Sequence, residues 1–163
     1  RANFADPRAA RHHRGLRGED LAWITETCGL PTVVKGVVRA DDARRCVEAG
    51  AAGVWVSTHG GRQLDRTVST ATALPAVVAA VGDEAEVYVD GGVRSGLDVL
   101  AALALGARAV LVGRPPVHAL AVAGATGVRA LLETLTEELA EALELAGCAR
   151  PEQAQGLGAP PDL

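Results

Sequence analysis

The sequence predicts an α/β chain whose parallel strands form half of a (β/α)₈ barrel, and three observations carry that reading. Short Val-rich runs alternate strictly with helical periodicities, the pattern of parallel strands joined by right-handed crossovers. Ala49–Ser57 lines up with Leu105–Gly113: in each, a helix stops on Gly-Ala and an apolar strand follows, two β/α units apart. Each strand also empties into polar or glycine-bearing residues able to do chemistry, as at the C-terminal mouth of a barrel. An open doubly wound sheet fits the alternation too, but the reactive strand ends favour the barrel. Four strands can be counted, half of what a barrel of about 250 residues needs.

In chain order, residues 1–18 are dense in Arg and His without apolar periodicity and read as a loop or disordered remnant. The chain starts at Arg1 and contains no Met, so it is expected to be part of a longer protein. Glu19 to Thr27 reads as a helix, with Leu21 and Ile24 on one face and Gly29 as a stop. Thr32 to Gly36 is a short strand, and Asp41 or Asp42 opens a helix closed by Gly50. Val54 to Ser57 is the central strand, followed by a helix near Thr72 to Val81 whose Leu74, Val77, Val78 and Val81 share a face. Glu86 to Asp90 is the third strand, and Ser95 with Asp98 makes an approximate capping box for the next helix. Ala109 to Val112 is the fourth, followed by a short helix near Val117 to Val122 and a long one near Gly127 to Ala146. Residues 19–150 thus form the structured unit, and 151–163, rich in Pro, Gly and Gln, read as a flexible tail.

Composition narrows the function classes. With 163 residues, 48% of them hydrophobic and 22% charged, the chain suits one globular domain. A net charge of −4 gives no footprint for nucleic acid or an anionic membrane. No apolar run is expected to span a bilayer, and no signal peptide opens the chain. Cys28, Cys46 and Cys148 are scattered and odd in number, which fits reduced thiols in a cytoplasmic protein better than disulfides or zinc. His12, His13 and His118 have no ligand spacing, so no metal site is expected.

The chemistry concentrates after the central strand, in Ser57-Thr58-His59-Gly60-Gly61-Arg62. His59 can take a proton near neutral pH. Arg62 offers a planar fork that fits a carboxylate. A base beside a carboxylate clamp points to proton chemistry on a small organic acid, although a lone motif of this kind is more often a solvated turn. Asp90-Gly91-Gly92-Val93-Arg94 and Gly113-Arg114 end the last two strands, where barrels commonly hold a phosphate on loop amides and a helix N-terminus. Lys35 ends a strand and needs an anionic partner: a ligand anion, or a salt bridge to Asp65 or Asp90. Trp55 reads as core or helix packing.

The blocks Leu30–Val37, Val56–Asp65, Asp90–Gly96, Leu103–Ala107 and Val112–Pro115, in this order and spacing, resemble the FMN-dependent α-hydroxy acid oxidases and dehydrogenases. The resemblance covers about Glu19 to Pro151 and implies the C-terminal half of an FMN-binding barrel, about strands 5 to 8. It further implies FMN as cofactor, a small (S)-2-hydroxy acid oxidised to the 2-oxo acid, and O2 or another electron acceptor. A homo-oligomer is expected of the full-length form. Lys35 would sit by the flavin N1/O2 edge and Ser57 by the ring or ribityl region. His59 would be the catalytic base and Arg62 the carboxylate clamp. Asp90, Gly91, Gly92, Val93, Arg94, Gly113 and Arg114 would hold the ribityl chain and phosphate. Thr58 departs from the family's usual asparagine, and the family's N-terminal half, with the aspartate that pairs with the catalytic histidine, has no counterpart here. The competing readings are another flavin or nucleotide barrel, such as a type 2 isopentenyl diphosphate isomerase or an inosine-phosphate dehydrogenase relative, and an inactive half-barrel.

Overall fold

The computed structural model describes residues 15–157. The expected remnant at the N-terminus therefore lies largely outside the described residues. Helix α1 (Gly18–Cys28) begins on Gly18 itself and ends at Gly29, whose φ of 62° is left-handed. Strands β1 (Val33–Val37), β2 (Gly53–Val56), β3 (Glu86–Asp90) and β4 (Ala109–Leu111) alternate with α2 (Ala40–Glu48), α3 (Thr70–Val81), α4 (Gly96–Ala104) and α5 (Arg114–Leu145). All neighbouring strands pair in parallel, in the order β1-β2-β3-β4.

That order decides between the two closures. A doubly wound sheet reverses direction at a switch point. Here each crossover advances one strand the same way, which is the arc of a barrel wall. Val54, Val56, Val87 and Val89 are almost fully buried and pack with Leu74, Val77 and Val81 of α3. The alternate residues Lys35, Trp55, Tyr88 and Ala109 stand in one row across the other face. Among the described residues no helix covers that row, and each of its members is partly or fully exposed. In a whole barrel this face is the interior. Among the described residues β1 and β4 each have one unpaired edge, where another strand can add.

The internal repeat is a repeated helix stop. Gly50 and Gly106 have φ of 93° and 97°. The amides of Ala51 and Ala107 reach back to the carbonyls of Cys46 and Ala102 at 3.0 and 3.1 Å. This is the six-to-one bond of a Schellman turn, which demands the left-handed residue glycine adopts at least cost. The turn sets each following strand directly under its helix.

Several boundaries differ from expectation. Lys35 lies mid-strand, because β1 continues past a bulge between Lys35 and Val37. The short and the long terminal helix are both present as expected, although the short one starts earlier, at Arg114; they follow one another within α5, with a break at Ala123 and Gly124, where φ values of −142° and 60° leave helical space. By length and composition α5 is apolar enough to cross a bilayer, which corrects the expectation that no run is. The expected flexible tail is corrected in part: Pro151–Ala154 forms a 3₁₀ turn whose Ala154 is fully buried beside Leu100, Leu103 and Leu143, while 158–163 lie outside the described residues. A proline-rich composition marks a helix stop there, not loss of packing.

Candidate functional site

The strand ends converge on a cavity of about 870 Å³, within the range of ligand sites. Lys35, His59, Arg62, Asp90, Gly91, Gly92, Val93, Arg94, Gly113 and Arg114 all line it. Residues distant in sequence thus meet because their strands lie side by side with their C-terminal ends on one rim. Ser57 is the exception among the expected site residues: it is 1% exposed and sits behind the wall.

From there Ser57 organises its neighbours. Its hydroxyl oxygen accepts from Lys35 Nζ at 2.7 Å and from the backbone N–H of His59 at 3.1 Å. Lys35 also donates to the carboxylate of Asp90. Of the two residues weighed as partners for Lys35, Asp90 is the one it meets, and the side chain is 35% exposed, not buried. A pair this accessible adds little stability; its consequence is a fixed position for one ammonium on the cavity wall.

His59 follows the end of β2 and opens a 3₁₀ turn, His59–Gly61. Its φ of 53° is left-handed, a conformation costly for a non-glycine residue and concentrated at functional sites. The imidazole fits because Gly36 has no side chain: Nε2 lies 2.9 Å from the point a Cβ at Gly36 would occupy. Gly36 also has φ of 101°, so both its conformation and its missing side chain serve this packing. Sequence reasoning assigned Gly36 no role; its position after Lys35, opposite the His59 loop, was the available signal. Among the described residues no carboxylate lies within ion-pair distance of the His59 imidazole. Thr58 holds the turn through its carbonyl, which accepts from Gly61 N–H at 3.0 Å, and its side chain makes no capping bond. The turn reaches across to the end of β4, where Arg114 Nη2 lies 3.5 Å from the position of a Cβ on Gly60.

At the other end of the cavity Gly91 and Gly92 have φ of 104° and 82°, and a Cβ on Gly92 or Gly113 would enter open space. Backbone can therefore approach a ligand closely there. Of the loop amides and helix N-terminus expected to hold an anion, the first turn of α5 has fewer N–H groups to offer, because Pro115 and Pro116 occupy it. The amide of Arg94 is likewise taken by Asp98 Oδ2 at 2.9 Å. The cationic character rests instead on the Arg94 and Arg114 guanidinium groups and the glycine loops.

The loop is anchored by the expected capping box. Ser95 Oγ accepts from Asp98 N–H at 3.2 Å, and Asp98 Oδ2 accepts from Ser95 N–H at 2.9 Å. Burial pushes the Asp98 carboxyl up, but the Arg94 amide, the Ser95 hydroxyl and amide, and the Arg94 charge together hold it below the ordinary range. A carboxyl lowered by folding stabilises the fold above its unfolded value of about 3.9, and loses that contribution as pH falls through its folded value. Asp98→Ala is therefore expected to cost about 1 kcal/mol at pH 7, the size of a lost helix cap. The difference from the parent should shrink below about pH 4, as urea midpoints at pH 7 and pH 3 would record.

Trp55 corrects its expected place. It shares the inner face with Lys35 and lines the cavity, with Lys35 Nζ 4.0 Å from its ring centroid. Trp55 alternates with the fully buried Val54 and Val56, which turns it away from the helix layer, and the register of β1 against β2 sets it beside Lys35.

The family model for FMN-dependent dehydrogenases matches residues 2–157. The chain is 60% identical to a 4-hydroxymandelate oxidase of Amycolatopsis orientalis, over 85% of this chain and 39% of that protein. It is 50% identical to an L-lactate oxidase of Nostoc sp., over 83% of this chain and 37% of that protein. Among solved structures, a mandelate oxidase with benzoyl-formic acid superposes with a TM-score of 0.84 at 52% identity, covering 86% of this chain and 42% of the other. A lactate oxidase of Pediococcus acidilactici superposes with a TM-score of 0.87 at 40% identity, covering 90% of this chain and 41% of the other. The chain thus spans about two-fifths of the length of these proteins.

Proposed function

This chain belongs to the FMN-dependent dehydrogenase family, and from that premise we propose that it is the C-terminal, cofactor-bearing half of a barrel that oxidises an (S)-2-hydroxy acid to the 2-oxo acid. The observation that carries the proposal is the single cavity in which a base, a carboxylate clamp, a fixed ammonium and a cationic glycine cradle meet. The residues fit FMN. Arg94 and Arg114 with the open glycine loops suit its phosphate, and Lys35, fixed by Asp90 and Ser57, suits the electron-rich edge of its ring. Bound there, FMN supplies the acceptor for the two electrons released by the hydroxy acid.

The chain's own residues do the rest. Arg62 pairs with the substrate carboxylate, which turns a bimolecular encounter into an oriented one. His59 takes a proton from the hydroxy acid on its imidazole and holds it as the carbonyl forms. Lactate, glycolate and mandelate are the substrate class, in keeping with the lactate and 4-hydroxymandelate oxidases to which the chain is similar. The Ser57-held backbone keeps the imidazole on the rim, but no described carboxylate is there to stabilise its protonated form. Turnover by this chain alone is therefore expected to be slow, and to rise when the complementary half-barrel is supplied. Equal rates with and without that half would count against the proposal.

The deciding measurement is a visible spectrum after adding FMN, followed by anaerobic addition of L-lactate, glycolate or mandelate. Flavin that binds and is then bleached by one acid, in the presence of the complementary half, is the expected result. Bleaching by none of them would refute the hydroxy acid reading.

A further inference from the structure

We propose that Gly36 is a positioning residue for the base: a bulge in β1 sets it beside Lys35 on the cavity face, as the empty seat that holds the His59 imidazole. The inference rests on the reading of His59 as base. Three observations carry it. The register passes from Lys35 opposite Trp55 to Val37 opposite Val56, so Gly36 is an extra residue that no β2 residue pairs. Its φ of 101° is left-handed, and a Cβ built there would stand 2.9 Å from His59 Nε2 and 3.7 and 3.8 Å from Cε1 and Cδ2. Val37, the next residue, is 6% exposed and packs in the core with Val54 and Val56.

The bulge makes these three compatible. Side chains along a strand point alternately to opposite faces, so strict alternation from Lys35 would turn Gly36 toward the helices and Val37 into the cavity. The extra residue shifts that phase by one. Lys35 and Gly36 then share the cavity face, and Val37 returns to the core. Charge and seat are consecutive in sequence, and one distortion places both. Only glycine suits the seat. A Cβ would fall inside van der Waals contact with the imidazole tip, and the left-handed φ is costly for other residues. What gives way to such a Cβ is the imidazole, the end of a side chain free to rotate. A side chain at position 36 therefore moves the base, while Ser57, Lys35 and Asp90, tied to one another, keep their places.

The test compares alanine at two left-handed glycines. Gly36→Ala adds a Cβ against the imidazole, whereas Gly50→Ala adds one at a φ of 93° with nothing within 4 Å, at the far end of β2 from His59. Both should lower the urea midpoint, because alanine is strained at positive φ. Only Gly36→Ala should move the His59 ring-proton resonances, identified as those lost in His59→Gln. With the barrel completed by its other half, Gly36→Ala should slow anaerobic flavin bleaching about a hundredfold, the effect of a group misplaced by about 1 Å, and keep FMN affinity within about threefold. Gly50→Ala should bleach at the parent rate. Unmoved His59 resonances in Gly36→Ala, or a rate equal to that of Gly50→Ala, overturn the proposal. Should Gly36→Ala not fold, the parent decides: a nuclear Overhauser peak between the Gly36 α protons and the His59 ring supports the seat, and its absence overturns it. If the completed parent binds FMN but oxidises no hydroxy acid, the reading of His59 as base fails, and this inference falls with it.

Discussion

Replacing His59 with glutamine is expected to slow hydroxy acid oxidation by about a hundred- to ten-thousandfold, the range a positioned general base supplies, and to leave FMN binding within about threefold. The asymmetry follows from how the residue is held. His59 reaches its place through a left-handed backbone, an amide bonded to Ser57 and an imidazole packed where Gly36 has no side chain. None of those contacts involves the Arg94 and Arg114 end of the cavity. Lys35 and Asp90 keep each other and Ser57 whatever stands at position 59. Glutamine preserves polarity and approximate reach but cannot take a proton near neutral pH. The measurement is the rate of anaerobic flavin bleaching with the barrel completed by its other half, beside an FMN titration of the same variant. A variant within tenfold of the parent rate would remove His59 from its role as base.

Replacing Gly96 with alanine is expected to destabilise the fold by about 3 kcal/mol or more, at the upper end of overpacking effects. Gly96 opens α4, and its N–H donates to Glu138 Oε2 at 2.7 Å. A Cβ at this position would overlap the backbone of Glu138 and Leu139 in α5. Backbone in mid-helix cannot swing aside as a side-chain tip can, so α4 and α5 must part. Their shared cluster of Leu100, Leu103, Ala142 and Leu143 would loosen with them. Because α4 begins just after the Asp90–Arg94 loop, FMN affinity should fall along with the urea midpoint. Leu97→Ala is the control: that side chain is 65% exposed, and its loss should stay within about 0.5 kcal/mol. A Gly96→Ala protein as stable as this control would mean the two helices are not in the contact described.

Local signals were legible where neighbours in sequence decide the outcome. Strand β3 runs from Glu86 to Asp90 as expected, and Ser95 and Asp98 form the capping box their spacing predicts. The recurring Gly-Ala stops are the same backbone turn twice. The chemistry at the strand ends was legible as well, because a parallel sheet brings all C-terminal ends to one rim. Where the reading went astray, a distant partner decided. Ala154 is buried only because α4 and α5 offer it a cluster, and Pro151 gave no hint of that. Trp55 looks like core by composition, and only the uncovered face of the sheet makes it a cavity wall.

By itself, then, the sequence determined the β/α alternation and the set of polar residues at the strand ends, since periodicity, glycine stops and strand-end chemistry are properties of short segments. Only the tertiary structure decided the one-way strand order, the Asp90–Lys35–Ser57 linkage, the fit of His59 against Gly36 and the place of Trp55. Each of these is a distance between residues on different strands, set by register and packing across the sheet, and no local pattern encodes it.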